Sequence, residues 1–149
     1  MKSEQFAIGF ADRAENDRRN VTGYIHIGEF SEHFPVAIGY WDRATYLRHW
    51  REALARLAAG SSAVGLLTWM IPPGSSDHAR AWILYRDGER VIVQERLFIG
   101  QESRPAFDEH GHLRGIEPRT TSSDDGAPIS EWTTNVSSIQ DFLTNDRNA

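Results

Sequence analysis

Between Asp42 and Gly60 the chain carries a helix whose two ends are both written into the sequence, and this element limits every fold open to the rest. Asp42 is a good N-cap, because its carboxylate can accept from backbone N–H groups that a helix leaves unpaired at its start. Tyr46, Leu47, Trp50, Ala53, Leu54 and Leu57 recur at helical spacing on one face, and Gly60 stands at the C′ position, where positive φ ends the helix. A face that broad has to be buried against another element. The next segment supplies one: Ala63 to Ile71 is almost wholly apolar, as a strand covered on both faces is, and Pro72-Pro73-Gly74 breaks it.

Strand signals surround this helix. Val21 to Phe30 alternates aromatic or β-branched residues with polar or small ones and reads as one strand; Pro35 to Tyr40 is a second apolar run and Phe6 to Phe10 a third. Ala79 to Arg86 and Arg90 to Ile99 flank Asp87-Gly88, a tight-hairpin signal, so the second half reads as a meander. Gly100 to Gly115 turns polar and aperiodic, as a long surface loop does, and such loops are often functional. A strand-to-helix junction occurs twice, once at Tyr40-Trp41-Asp42 and again from Trp132 to Asn135. This is the pattern of a duplicated meander plus helix, and equally of any α+β domain.

The chain has 149 residues, enough to bury about 68–70% of its unfolded surface without metals or disulfides, and it reads as one domain over 1–149. It has no cysteine, which removes thiolate catalysis and cysteine zinc sites. The N-terminal apolar patch is interrupted by Gly9 and ended by Asp12, too short for a signal peptide, and no run approaches the ~20 apolar residues of a membrane helix. A soluble, cytoplasmic protein is the expectation. The sequons at Asn20 and Asn135 then carry no meaning. The net charge is −5 and Lys2 is the sole lysine, a poor composition for nonspecific nucleic-acid binding and a suitable one for a basic partner.

Candidate chemistry is sparse. Asp108-Glu109-His110-Gly111-His112 has metal-ligand residue types, but its Gly-containing setting and lack of a distant ligand favour a solvated loop, so neither metal nor cofactor is expected. His26, His49 or His78 as acid or base, with Arg119 on a phosphate, would make a small metal-independent hydrolase. No spacing singles out one such pair. Trp41, Trp50, Trp69, Trp82 and Trp132, with Tyr40, Tyr46 and Tyr85, can stack single-stranded bases, yet most fall within core periodicity.

The run from Arg119 to Leu143 gathers an acidic turn at Asp124-Asp125-Gly126, a strand from Ile129 to Thr133 and a helix capped by Asn135, with Val136, Ile139, Phe142 and Leu143 at helical spacing. Trp132, beside Glu131 and just after the acidic turn, suits equally an aromatic anchor at a protein interface and a core residue closing the last helix on the sheet.

Tyr40-Trp41-Asp42 with Tyr46 and Trp50, the hairpin from Trp82-Ile83-Leu84-Tyr85 to Val91-Ile92-Val93-Gln94, and Arg119-Thr120-Thr121 through Ser130-Glu131-Trp132 to Asp141-Phe142 occur in one order. In this the chain resembles the immunity proteins of contact-dependent growth inhibition, in the subgroup paired with toxins similar to colicin-type ribosomal-RNA nucleases. The resemblance runs from about Val36 to Leu143 and is densest in the carboxyl-terminal run. It implies a two-layer α+β fold similar to Whirly-type domains, with about six to eight strands in antiparallel sheets and two main helices. It also implies noncovalent binding of a cognate nuclease toxin in a 1:1 heterodimer that covers the toxin's active site, without catalysis, nucleic acid or membrane. On that reading Asp124, Asp125, Glu131 and Trp132, helped by Asp108 and Glu109, meet the toxin. A sheet-based nucleic-acid binder and a small hydrolase are the competing readings.

Overall fold

The computed structural model describes residues 5–11, 20–69, 78–99, 119–122 and 126–146. Along the chain run β1 (Phe6–Phe10), β2 (Asn20–Ile27), β3 (Phe30–Ala37), α1 (Arg43–Ala59), β4 (Ala63–Trp69), β5 (His78–Asp87), β6 (Arg90–Ile99), β7 (Trp132–Asn135) and α2 (Val136–Asp146). The class is α+β, and the strands form a seven-stranded sheet in sequence order. Neighbours pair antiparallel except β3 and β4, which run parallel and meet through Ala37 and Trp69. Parallel neighbours need a crossover, and α1 is that crossover. Each antiparallel meander is followed by one helix.

Three of the expected strands have different limits, and the Pro35 to Tyr40 run gives only its first three residues to β3, which begins at Phe30 and ends at Ala37. Val21 to Phe30 is not one strand: Gly28, at φ 64°, turns the chain so that Ile27 pairs with Phe30. Positive φ at the first central residue alone is the type II′ arrangement. The β5–β6 turn repeats it one residue later than expected, with Gly88 at φ 66° and Glu89 between the paired Asp87 and Arg90. Both hairpins thus turn on Gly-Glu. The last strand begins at Trp132 rather than Ile129, because the Ile129 N–H is committed to Thr121 O at 2.9 Å and not to the sheet.

Helix α1 starts and ends as its sequence dictates. The Asp42 carboxylate accepts from Thr45 N at 2.8 Å and Thr45 Oγ1 at 2.7 Å. Gly60, at φ 130°, ends the helix while Gly60 N donates to Leu57 O and Ser61 N to Arg56 O, a Schellman pattern. Arg86 adds two hydrogen bonds, to Leu57 O and Ala58 O, which puts a cation at the negative end of the helix dipole. The buried face holds Tyr46, His49, Trp50, Ala53, Leu54 and Leu57. Leu47, expected on that face, lies one position outside the buried arc and is 37% exposed.

This face closes the strand edge that β3 leaves open. Leu67 N donates to His49 Nε2 at 2.9 Å, and Trp50 Nε1 donates to Leu67 O at 2.7 Å. Tyr46 donates its hydroxyl proton to Ala37 O where β3 meets β4. Buried backbone groups must be paired, so side chains of α1 take the place of a neighbouring strand. Around them Phe10 stacks on Trp50 at 5.2 Å, and Phe34 meets both Trp50 and Trp82 edge-on. Each large side chain buried here stabilises the fold by about 1.5–3 kcal/mol. Helix α2 is capped by Asn135, whose Oδ1 accepts from Ser138 N at 2.7 Å, and is tied to α1 by Arg51, which donates to Leu143 O.

Candidate functional site

The polar site of the described molecule is built on β6. Strand alternation turns Gln94 to the face opposite Val93, and there it is fully buried, 0% exposed. A buried amide has to be paired at both ends, and this one is. Its Nε2 donates to Thr120 O and to Glu131 Oε2, both at 2.7 Å, while its Oε1 accepts from Arg96 at 3.1 Å. Glu131 is held from its other side by Arg119: Nε donates to Oε2 and Nη2 to Oε1, each at 2.6 Å. A two-pronged guanidinium–carboxylate pair is strong and directional. Accordingly the Arg119 hydrogen bonds hold the Glu131 carboxyl below the ordinary carboxylate range, with Gln94 adding to the effect. The same contact raises the Arg119 guanidinium.

This network fixes a strip lying outside the sheet. Ser122 bridges Pro128, and Ile129 N donates to Thr121 O, so the chain folds back on itself between these two arms. Arg119, Thr120, Thr121, Ser122, Pro128 and Ser130 are all exposed. Trp132 follows directly. It stacks on Phe30 with ring centroids 4.1 Å apart and an interplanar angle of 21°, and it meets Trp82 edge-on at 5.8 Å. Half-buried, it closes β7 onto the β2–β3 hairpin and keeps part of its surface accessible. Of the two roles read from the sequence, the fold-closing one is what this packing displays.

Of the six residues expected to meet a partner, Glu131 and Trp132 are adjacent at this site, while Asp108, Glu109, Asp124 and Asp125 lie outside the described residues. The His-containing motif at 108–112 lies outside them as well, and among the described residues no group of three or more His, Asp or Glu side chains is placed to hold a metal. Gln94, Arg96 and Phe30 were not anticipated. The one available signal was a polar residue ending the apolar Val91-Ile92-Val93 run.

Among the described residues the hydrolase candidates do not assemble into a site. His49 is buried and occupied by the backbone of β4, His26 is exposed with its ring 5.1 Å from that of Tyr24, and Arg119 is committed to Glu131. The side chain of His78 lies outside the described residues. A cleft of about 410 Å³ between β1 and α2 is lined by Phe6, Tyr24, Asp141 and Phe142 among others, and one of about 360 Å³ between the helices by Arg51, Glu52 and Leu143. Among the described residues that line them, each has one carboxylate and no histidine. The base-stacking reading loses half of its aromatics to the core: Trp41, Trp50, Trp82 and Tyr46 are buried, Trp69, Tyr85 and Trp132 are half-buried, and Tyr40 is 40% exposed. Among the described residues no helix is long and apolar enough to cross a membrane.

Comparison with known proteins gives this arrangement a lineage. The family described as CdiI N-terminal domain matches residues 36–142. The chain is 30% identical over 118 residues to Immunity protein CdiI of Enterobacter cloacae subsp. cloacae, covering 79% of this chain and 81% of that protein. Its fold is similar to a chain of the solved CdiA-CT/CdiI toxin and immunity complex from Enterobacter cloacae, with a TM-score of 0.83, 27% identity, and coverage of 97% of this chain and 100% of that one. The chain belongs to the CdiI N-terminal domain family.

Proposed function

We propose that this member of the CdiI family is an immunity protein: it binds a cognate toxin domain noncovalently, as a 1:1 heterodimer in the cytoplasm, and neutralises it by covering the toxin's active site. The observation that carries this reading is the likeness in fold, over 97% of the chain, to a chain of a toxin and immunity complex. The toxin we infer is a nuclease of the colicin-like, ribosomal-RNA-directed kind. Physical chemistry supports the pairing. A nuclease concentrates cations where it holds phosphates, and a partner of net charge −5 is drawn to that same field, which speeds encounter and aligns the docked pair.

The proposed contacts are Asp124, Asp125, Asp108 and Glu109, with Trp132 as an aromatic anchor; Glu131, also expected to meet the toxin, is committed to Arg119 and Gln94. Trp132 suits this because hot spots favour rigid aromatic residues backed by packed neighbours, and Phe30 and Trp82 are such neighbours. The chain itself supplies no catalytic group on this reading; covering the active site needs only shape and charge.

The test is co-expression with the toxin domain encoded beside this chain's gene. Cells carrying both should survive toxin induction, and the two chains should co-purify as a heterodimer that dissociates without reductant. Death of cells carrying both, with the immunity chain present and folded, would sink the proposal.

A further inference from the structure

Gln94 presents a cost that the sheet alone does not explain. An apolar side chain at that position would cover β6 without desolvating an amide, and buried polar groups are often replaceable by apolar ones at no loss of stability. A polar side chain supplies direction instead. The Gln94 amide points one N–H at Thr120 O and the other at Glu131, and Glu131 grips Arg119 in turn. These bonds join the two arms of the strip, Arg119 to Ser122 and Pro128 to Glu131, to a strand that cannot move. Because the arms are largely exposed, apolar burial contributes little to fixing their course. The clamp decides where they lie.

We infer that Gln94, Arg119 and Glu131 are positioning residues for toxin binding: they hold the Thr120–Ser122 and Pro128–Ser130 arms in the shape the toxin meets, and Glu131 acts through Arg119 and Gln94. This rests on the immunity reading above. Three hydrogen bonds at 2.6, 2.6 and 2.7 Å already occupy the two oxygens of Glu131, so a toxin cation would have to compete with Arg119 for them. If binding requires the clamped strip, apparent affinity falls by the factor by which the clamped population falls.

The experiment is a double-mutant cycle in the full chain with Arg119→Gln and Glu131→Gln, read in two ways: affinity for the co-encoded toxin domain, and hydrogen exchange at the Ile129 amide, which donates to Thr121 O. Each single variant should weaken binding about tenfold and, from a native state that is almost wholly clamped, speed Ile129 exchange by more than that, while core amides in β5 keep native protection. The double variant should be scarcely worse than either single one, and Gln94→Leu should reproduce both effects. Additive losses of affinity with native Ile129 exchange would overturn the inference, since the residues would then touch the toxin independently. So would faster exchange with native affinity, which would make the clamp purely architectural. Absence of binding by the unmodified chain is a different result: it would overturn the immunity reading itself.

Discussion

Leu67 and Gln94 mark two places where the sheet is completed by something other than a strand, and the two are completed in opposite ways. At Leu67 the backbone is the needy party, and His49 and Trp50 answer it from within an aromatic cluster where Trp50 is 1% exposed. At Gln94 a side chain is the needy party, and it is answered by Thr120 and Glu131 on a strip that faces solvent. The first arrangement sits inside the apolar burial that makes the fold stable. The second reaches from the core to the surface and fixes a shape there. Damage at Leu67 should therefore cost the fold, and damage at Gln94 the strip.

The largest effect is expected at the first. Trp50→Ala removes a fully buried indole and orphans Leu67 O, a loss of about 3–5 kcal/mol where domains have only about 5–15 to spare. Urea denaturation should show a large drop in midpoint or an unfolded chain; a shift below about 1 kcal/mol would mean that α1 is not what closes β4. At the second, Gln94→Ala leaves Thr120 O without its donor and takes one of two donors from Glu131 Oε2, which Arg119 still holds, at roughly 1–3 kcal/mol. Unfolding should stay cooperative, with new exchange confined to the Thr120–Ser122 and Pro128–Ser130 arms. Loss of protection across β5 and β6 instead would erase the distinction between the two regions.

Acid separates them further. The native Glu131 carboxyl is held low by Arg119, so its contribution is fully present above the unfolded value of about 4.3 and is lost as pH falls from there through the native value. The stability difference between the native chain and Glu131→Gln should be seen at pH 7 and shrink progressively as pH falls below about 4, and a difference that stays constant down through the acid range would contradict the ion pair's role. The smallest effect has the opposite sign. Glu95 is raised, first by partial burial and then by the Glu32 carboxylate, so its ionised form weakens the fold as pH rises from the unfolded value of about 4.3 through the higher native value. Glu95→Gln should slightly raise the thermal midpoint at neutral pH, and a lower midpoint would show that the carboxylate serves a contact.

What the sequence disclosed divides along the same line. Helix α1 was legible to its caps because Asp42 and Gly60 act through neighbours three or four residues away. The β5–β6 hairpin was legible too, apart from a one-residue shift of the turn to Gly88-Glu89. The Gly28 turn was obscured by Phe30, which prolongs the apolar alternation past the point where φ becomes positive. The resemblance carried the α+β class and the family, and both hold. The clamp was hidden for a different reason. Gln94 and Glu131 are separated by 37 residues, and no local period connects a lone polar residue in β6 with a carboxylate that far along the chain. Of the candidate site, Trp132 and Glu131 could be named from the sequence, but the residues they touch, Phe30, Trp82, Gln94 and Arg119, come from four separate segments that only the fold brings together.

The proposed role is tested most directly by stopped-flow association of the full chain with its co-encoded toxin domain, comparing the native sequence with Asp124→Lys/Asp125→Lys across ionic strength. The reversed variant should keep its native circular dichroism and associate at least about tenfold more slowly at low salt, a gap that narrows as screening shortens to about 8 Å at 0.15 M. Cells expressing it should become sensitive to the toxin. Native association and full protection by the reversed variant would show that the acidic run is not where the toxin binds.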